Sequence, residues 1–124
     1  MTGFTTVSTT PYATISTGEF GGTLLTNSTA ASVLFPACVS NLLILNGNGT
    51  PSSLIEVGFN SPVDSAAVFF TPNTQQAATL VRTCDVFVTV NSDGSGFKLM
   101  VNIPDGLEIA SGDYGWNFLV GQIS

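Results

Sequence analysis

The side chains able to do chemistry in this chain are eight carboxylates, two cysteines, many hydroxyls and two cations, with no histidine. The missing histidine removes the usual general base, the Ser-His and Cys-His nucleophile pairs and most zinc sites. Serine and threonine are plentiful, but a hydroxyl becomes a nucleophile only beside a group that takes its proton. Glu19, Glu56, Asp64, Asp85, Asp93, Asp105, Glu108 and Asp113 are scattered, and most fall in turn-like sequence. A hydrolase built on paired carboxylates needs two of them brought together in space. No spacing announces such a pair, so they read as solvated surface charge. No catalytic residue is assigned, and the chain reads as a non-enzyme.

One loop has partial metal-ligand spacing. Asn91, Asp93 and Ser95, followed by Gly96, fall at the first, third, fifth and sixth positions of an EF-hand calcium loop. Asn102 stands where the bidentate glutamate belongs, so the stretch is expected to be a hairpin turn holding no metal. Cys38 and Cys84 lack metal-ligand spacing and are too few for a disulfide framework. Two buried free thiols or one cross-strand disulfide both fit them. The thiols are expected, because Met1-Thr2-Gly3-Phe4-Thr5-Thr6 lacks the basic and apolar regions of a secretory signal. On the same ground Asn27-Ser28-Thr29 and Asn48-Gly49-Thr50 read as chance glycosylation patterns. No cofactor is expected.

Aromatic residues are the remaining candidates. Phe35, Phe59, Phe69, Phe70, Phe87, Phe97 and Phe118 sit in strand-like surroundings and read as core. Tyr114 and Trp116, beside Gly112, Asp113 and Gly115, have a more exposed character. Such a loop suits a carbohydrate platform, an interface anchor or a structural anchor for the last strand, the last being the favoured reading.

The bulk composition narrows the partners. Only 8% of residues are charged, against about 25% in ordinary soluble domains, while 44% are hydrophobic. Solubility then rests on Ser, Thr, Asn and Gly, or partners cover part of the surface. With a net charge of −6 and only Arg82 and Lys98 as cations, a nucleic-acid groove or an anionic membrane surface is not expected. No apolar run approaches the ~18 residues of a membrane span.

The elements that would position these residues are strands. The plainest is the hairpin Asp85–Ile103, in which Phe97, Leu99, Val101 and Ile103 alternate with Lys98, Met100 and Asn102 around an Asn/Asp/Gly turn. Before it, a Thr-rich arm spans residues 1–10. Strands are then expected near Tyr12–Thr17, Thr23–Thr26 and Ala31–Phe35, the last stopped by Pro36. Cys38–Asn46 and Ser53–Phe59 read as a second hairpin joined by a Gly/Asn turn. Ala66–Phe70 follows. Gln75-Gln76-Ala77-Ala78 would suit a helical turn, but Thr79-Leu80-Val81 favours a strand with a polar lead-in. Leu107–Ile109 and Trp116–Ile123 close the tally at some nine strands. The expected fold is all-β: an antiparallel β-sandwich, jelly-roll-like, with an extended arm at 1–10 and one domain at 11–124.

The chain resembles small all-β structural proteins of tailed bacteriophage particles, namely capsid decoration (cement) proteins and related accessory virion proteins. The resemblance rests on the Thr/Ser-rich arm, on Cys38-Val39-Ser40-Asn41-Leu42-Leu43-Ile44-Leu45-Asn46 leading through a Gly/Asn turn to Leu54-Ile55-Glu56-Val57-Gly58, and on the Asp85–Ile103 hairpin. It implies a sandwich or jelly roll, often trimeric, bound to a capsid lattice without catalysis. The expected partners are the major capsid protein or other virion proteins and further copies of the chain. The expected location is the virion, after synthesis in a host cytoplasm. Phe4, Thr5, Thr6, Tyr12, Tyr114 and Trp116 are the expected contact residues. The rival is a carbohydrate- or receptor-binding module of a fibre or adhesin, working through Asp113, Tyr114 and Trp116.

Overall fold

The computed structural model describes residues 12–42 and 45–122, with Leu45 and Asn46 described through their backbone. The arm at 1–10, with Phe4, Thr5 and Thr6, lies outside the described residues. In chain order the elements are β1 (Ala13–Thr17), β2 (Thr23–Leu24), β3 (Thr29–Ala30), β4 (Leu34–Ser40), β5 (Leu45–Asn46), β6 (Ser52–Phe59), β7 (Ala66–Pro72), α1 (Gln75–Thr83), β8 (Asp85–Val90), β9 (Gly96–Asn102), β10 (Glu108–Ile109) and β11 (Tyr114–Gln122). They form a five-stranded sheet ordered β3-β1-β6-β9-β8, a four-stranded sheet ordered β2-β4-β11-β7, and a small β10-β5 pair. All the pairings are antiparallel.

The two larger sheets stack as an all-β sandwich. Phe97 on β9 lies at its centre, with ring centroids 5.3 Å from Phe118, 5.9 Å from Phe59 and 6.4 Å from Phe35. Phe118 and Phe35 belong to the opposite sheet, so these rings join the layers. The period-2 reading of β9 holds. Phe97, Leu99, Val101 and Ile103 are buried, whereas Lys98 is exposed and Met100 and Asn102 are half-buried. The turn before β9 is closed by its own groups: Asn91 N–H donates to the Gly96 carbonyl, Gly94 N–H to the Asn91 carbonyl, and Ser95 N–H to Asp93 Oδ1 at 3.0 Å. All three side chains with calcium-loop spacing thus bond within the turn, Asn91 Nδ2 donating to Ser95 Oγ at 3.0 Å.

Three expectations are corrected. Thr79–Val81 is not a strand: Gln75–Thr83 is a helix. Thr74 sits before it in an extended conformation and its Oγ1 accepts from Ala77 N–H at 3.2 Å. Ala77, Leu80 and Cys84, spaced three and four apart, are its buried contacts. A nine-residue helix is too short to persist alone, so this packing and its cap outweigh the β preference of Thr-Leu-Val.

Second, Cys38–Asn46 and Ser53–Phe59 do not form a hairpin. β4 ends at Ser40, Asn41 turns the chain at φ 57°, and the two-residue β5 pairs with β10. β4 and β6 lie in opposite sheets, which buries Phe35, Ala37 and Val39 against Leu54, Ile55 and Val57. The Gly/Asn turn docks elsewhere: Gly47 N–H donates to the Leu107 carbonyl and its own carbonyl accepts from Gly106 N–H. A Cβ at Gly47 would lie 2.0 Å from the Pro104 oxygen, so the close approach requires glycine.

Third, Pro36 does not stop a strand but lies within β4. Two residues on, Cys38 directs its N–H outward to Thr26 Oγ1 and its carbonyl accepts from Leu25 N–H. By the same alternation the Pro36 nitrogen faces that outer side, beyond the two-residue ladder with β2. No ladder bond is lost there.

Candidate functional site

Tertiary folding makes one constellation that spacing concealed. Gly18–Phe20 crosses β6, and the Phe20 N–H donates to the Ser53 carbonyl. Glu19 N–H donates to Ser53 Oγ at 2.9 Å, and Glu19 Oε1 accepts from Ser53 N–H at 3.0 Å. From the other side Glu56 Oε2 lies 2.8 Å from Ser53 Oγ, against 3.4 Å for Glu19 Oε1. The hydroxyl has one proton, and the shorter contact gives it to Glu56. Ser53 is wholly buried, so the arrangement pins the β1–β2 turn onto β6. It explains how a serine can be wholly buried on that side of β6: each of its polar atoms has a partner.

The aromatic candidates are redistributed. Tyr114 and Trp116 are 3% and 0% exposed, which corrects the exposed character expected of both. Their spacing puts both on the inner face of β11, where Tyr114 pairs with Val39 and Trp116 with Ala37 and Pro72. Trp116 packs edge-on against Phe70 at 5.9 Å, and the Tyr114 hydroxyl donates to the Ala110 carbonyl. Burial pushes the Tyr114 phenol above its ordinary range, with the neighbouring Cys84 adding to the effect. Asp113 accepts from Ser40 Oγ at 2.8 Å and stands apart from any open aromatic face of these two rings. Tyr12 is half-buried with its ring 5.5 Å from Phe59, and burial raises its phenol as well. Phe69 and Phe87, expected in the core, are exposed instead, because their register turns them outward.

That outward register exposes the feature best suited to binding. On the four-stranded sheet, Phe35, Phe118 and Phe70 form one cross-strand row facing the core. The next row, Leu34, Leu119 and Phe69, must then face away from it. Leu34 is 61% and Phe69 56% exposed, with Leu119 half-buried between them. The next row outward is Pro36, Asn117 and Thr71, and beyond it come Cys38 and Gly115. No outward residue of these strands is charged. The opposite outer face differs: Ser16, Glu56, Lys98 and Thr89 form its corresponding row, with Glu56 directly across from Lys98. The sandwich therefore has one charged face and one uncharged apolar face.

Both cysteines are free thiols. Cys38 is half-buried on the uncharged face, and burial, reinforced by Asp113, holds its thiol above the ordinary range. Cys84 is buried at the C-terminal end of α1, where its N–H donates to the Leu80 carbonyl. Among the described residues no group of three or more metal-ligating side chains converges, and no helix is long and apolar enough to cross a membrane. A scan against protein-family models found no match, and searches of curated proteins and of solved structures found no similar chain.

Proposed function

We propose that this chain is a non-enzymatic structural protein of a virus particle, a decoration or cement protein that docks on a capsid surface and stabilises it through protein–protein contacts. The observation that carries the reading is the uncharged outer face centred on Leu34, Leu119 and Phe69. An apolar sheet face of this kind costs little to desolvate and gains from burial in an interface core. Its setting reinforces the argument, since the chain keeps only ten charged residues and none of them lies among the outward strand residues of that face. The particle partners are the major capsid protein or other virion proteins, and trimeric self-association follows from the resemblance to cement proteins. The rival carbohydrate- or receptor-binding module called for open Tyr114 and Trp116 rings, and both are in the core.

The test is co-sedimentation with purified capsids of the virus whose genome encodes the chain. Leu34→Asp and Phe69→Asp place charge at the two most exposed positions of the outward row, so the melting temperature should hold while capsid binding falls by tenfold or more. Lys98→Ala, on the charged face, should bind normally. Wild-type protein that fails to sediment with capsids refutes the proposal, and so does undiminished binding by both aspartate variants.

A further inference from the structure

A cleft of about 440 Å³ opens between α1 and the strap around β10. Its floor is apolar: Leu80 and Tyr114 are 3% exposed and Ile109 8%. The Tyr114 hydroxyl is held by the Ala110 carbonyl. Gln75 and Thr79, four residues apart on α1, supply one wall, and Glu108, exposed on β10, supplies the rim. Glu108 is the one charged side chain among the lining residues. These residues are distinct from the outward row of Leu34, Leu119 and Phe69.

We infer that this cleft receives the side chain of a lysine or arginine from a partner protein. Such a side chain has an aliphatic stem that covers apolar surface and a cationic head that seeks acceptors. The floor of Leu80, Ile109 and Tyr114 matches the stem. The Glu108 carboxylate and the Gln75 amide oxygen match the head, which has donors and no acceptor, whereas the Thr79 hydroxyl already accepts from Arg82 Nη2 at 3.3 Å. An anionic ligand finds no cation in the lining. A sugar ring finds no open aromatic face, since Tyr114 is buried. The net charge of −6 adds a field that draws cations toward the protein. The inference stands apart from the reading of the uncharged face, and it applies to any partner that presents a basic side chain.

The experiment is an amide chemical-shift titration of the isotopically labelled full chain. The probe is Nα-acetyl-lysine methylamide, compared with its neutral norleucine counterpart and with N-acetylglucosamine. The lysine probe should give saturable shifts confined to Gln75–Thr83 and Leu107–Ala110, with a dissociation constant on the order of millimolar for so small a ligand. Norleucine should bind roughly two- to fivefold more weakly, about fivefold being the ceiling for a single exposed ion pair. Glu108→Gln, at an exposed position that leaves the fold intact, should abolish the difference between the two. Equal binding of both probes to the wild type overturns the inference, because the cleft would then be a plain apolar slot. Absence of saturable lysine shifts there, or shifts produced by the sugar in preference, overturns it too.

Discussion

Phe97→Ala tests the architecture at its centre. The side chain is fully buried and touches rings from both sheets, at 5.3 Å to Phe118, 5.9 Å to Phe59 and 6.4 Å to Phe35. Truncating a buried phenylalanine costs about 3–5 kcal/mol, made up of lost transfer energy and the cavity left behind. Three ring pairs, each worth about 0.5–1.5 kcal/mol beyond area burial, place the expected loss at the upper end of that range. A domain of this size has a total stability of about 5–15 kcal/mol, so the variant should fold but with a much reduced margin. Its melting temperature should fall by roughly 16–20 °C, at about 4 °C per kcal/mol for 124 residues. The assay is urea unfolding followed by tryptophan fluorescence. Trp116 is the one tryptophan, and it is wholly buried against Phe70, so its emission reports the same core. Lys98→Ala, the next residue but on the outer face, should change stability by less than about 0.5 kcal/mol. A loss below about 1 kcal/mol in Phe97→Ala, or equal losses in the two variants, would refute the assigned inner face of β9.

Three further outcomes are expected. Thr74→Ala should cost about 1–2 kcal/mol by urea unfolding, since it removes the helix cap at Ala77 and the bonds to the Asp113 carbonyl and Gly115 N–H. Thr74→Ser should restore most of it, and equal losses would mean that the hydroxyl is not what matters. Stability should decline as pH rises above about 10, because burial raises the folded-state phenols of Tyr114 and Tyr12 above their unfolded value. A raised group keeps its contribution below the unfolded pKa and loses it as pH climbs through the folded one. Tyr114→Phe should flatten part of that decline, and a stability profile unchanged from neutral pH to 11 would contradict the burial of both rings. Under native conditions a thiol reagent should label Cys38 slowly and spare Cys84, and both should react once the chain unfolds. Failure of either thiol to react in denaturant, without reductant, would mean a disulfide.

Local pattern was enough for several features. The strict alternation from Phe97 to Ile103 fixed which residues face inward, because in a strand side chains can take only two directions and only one row is apolar. Recurrent Gly, Pro and Asn set the strand spacing and hence the all-β class, and the absence of histidine could be read without any fold. Gln75-Gln76-Ala77-Ala78 also carried a local helical signal, but the β preference of Thr79-Leu80-Val81 competes with it. Only the contacts of Ala77, Leu80 and Cys84 with the sheets break that tie. The remaining outcomes depend on which strands become neighbours, a matter of chain path rather than of residue type. Glu19 reaches Ser53 and its neighbour Glu56 across 34 residues of separation from Ser53 because the β1–β2 turn folds over β6. Tyr114 and Trp116 carry the same polar neighbours in sequence whether β11 is an edge or, as here, lies between β4 and β7 with both rings inward. Phe69 and Phe70 are adjacent phenylalanines of identical propensity. Pairing with Leu119 sends the first outward and pairing with Phe118 sends the second into the core. A one-residue difference in ladder register thus decides which ring stabilises the sandwich and which is left exposed, and register is set by the assembled sheet.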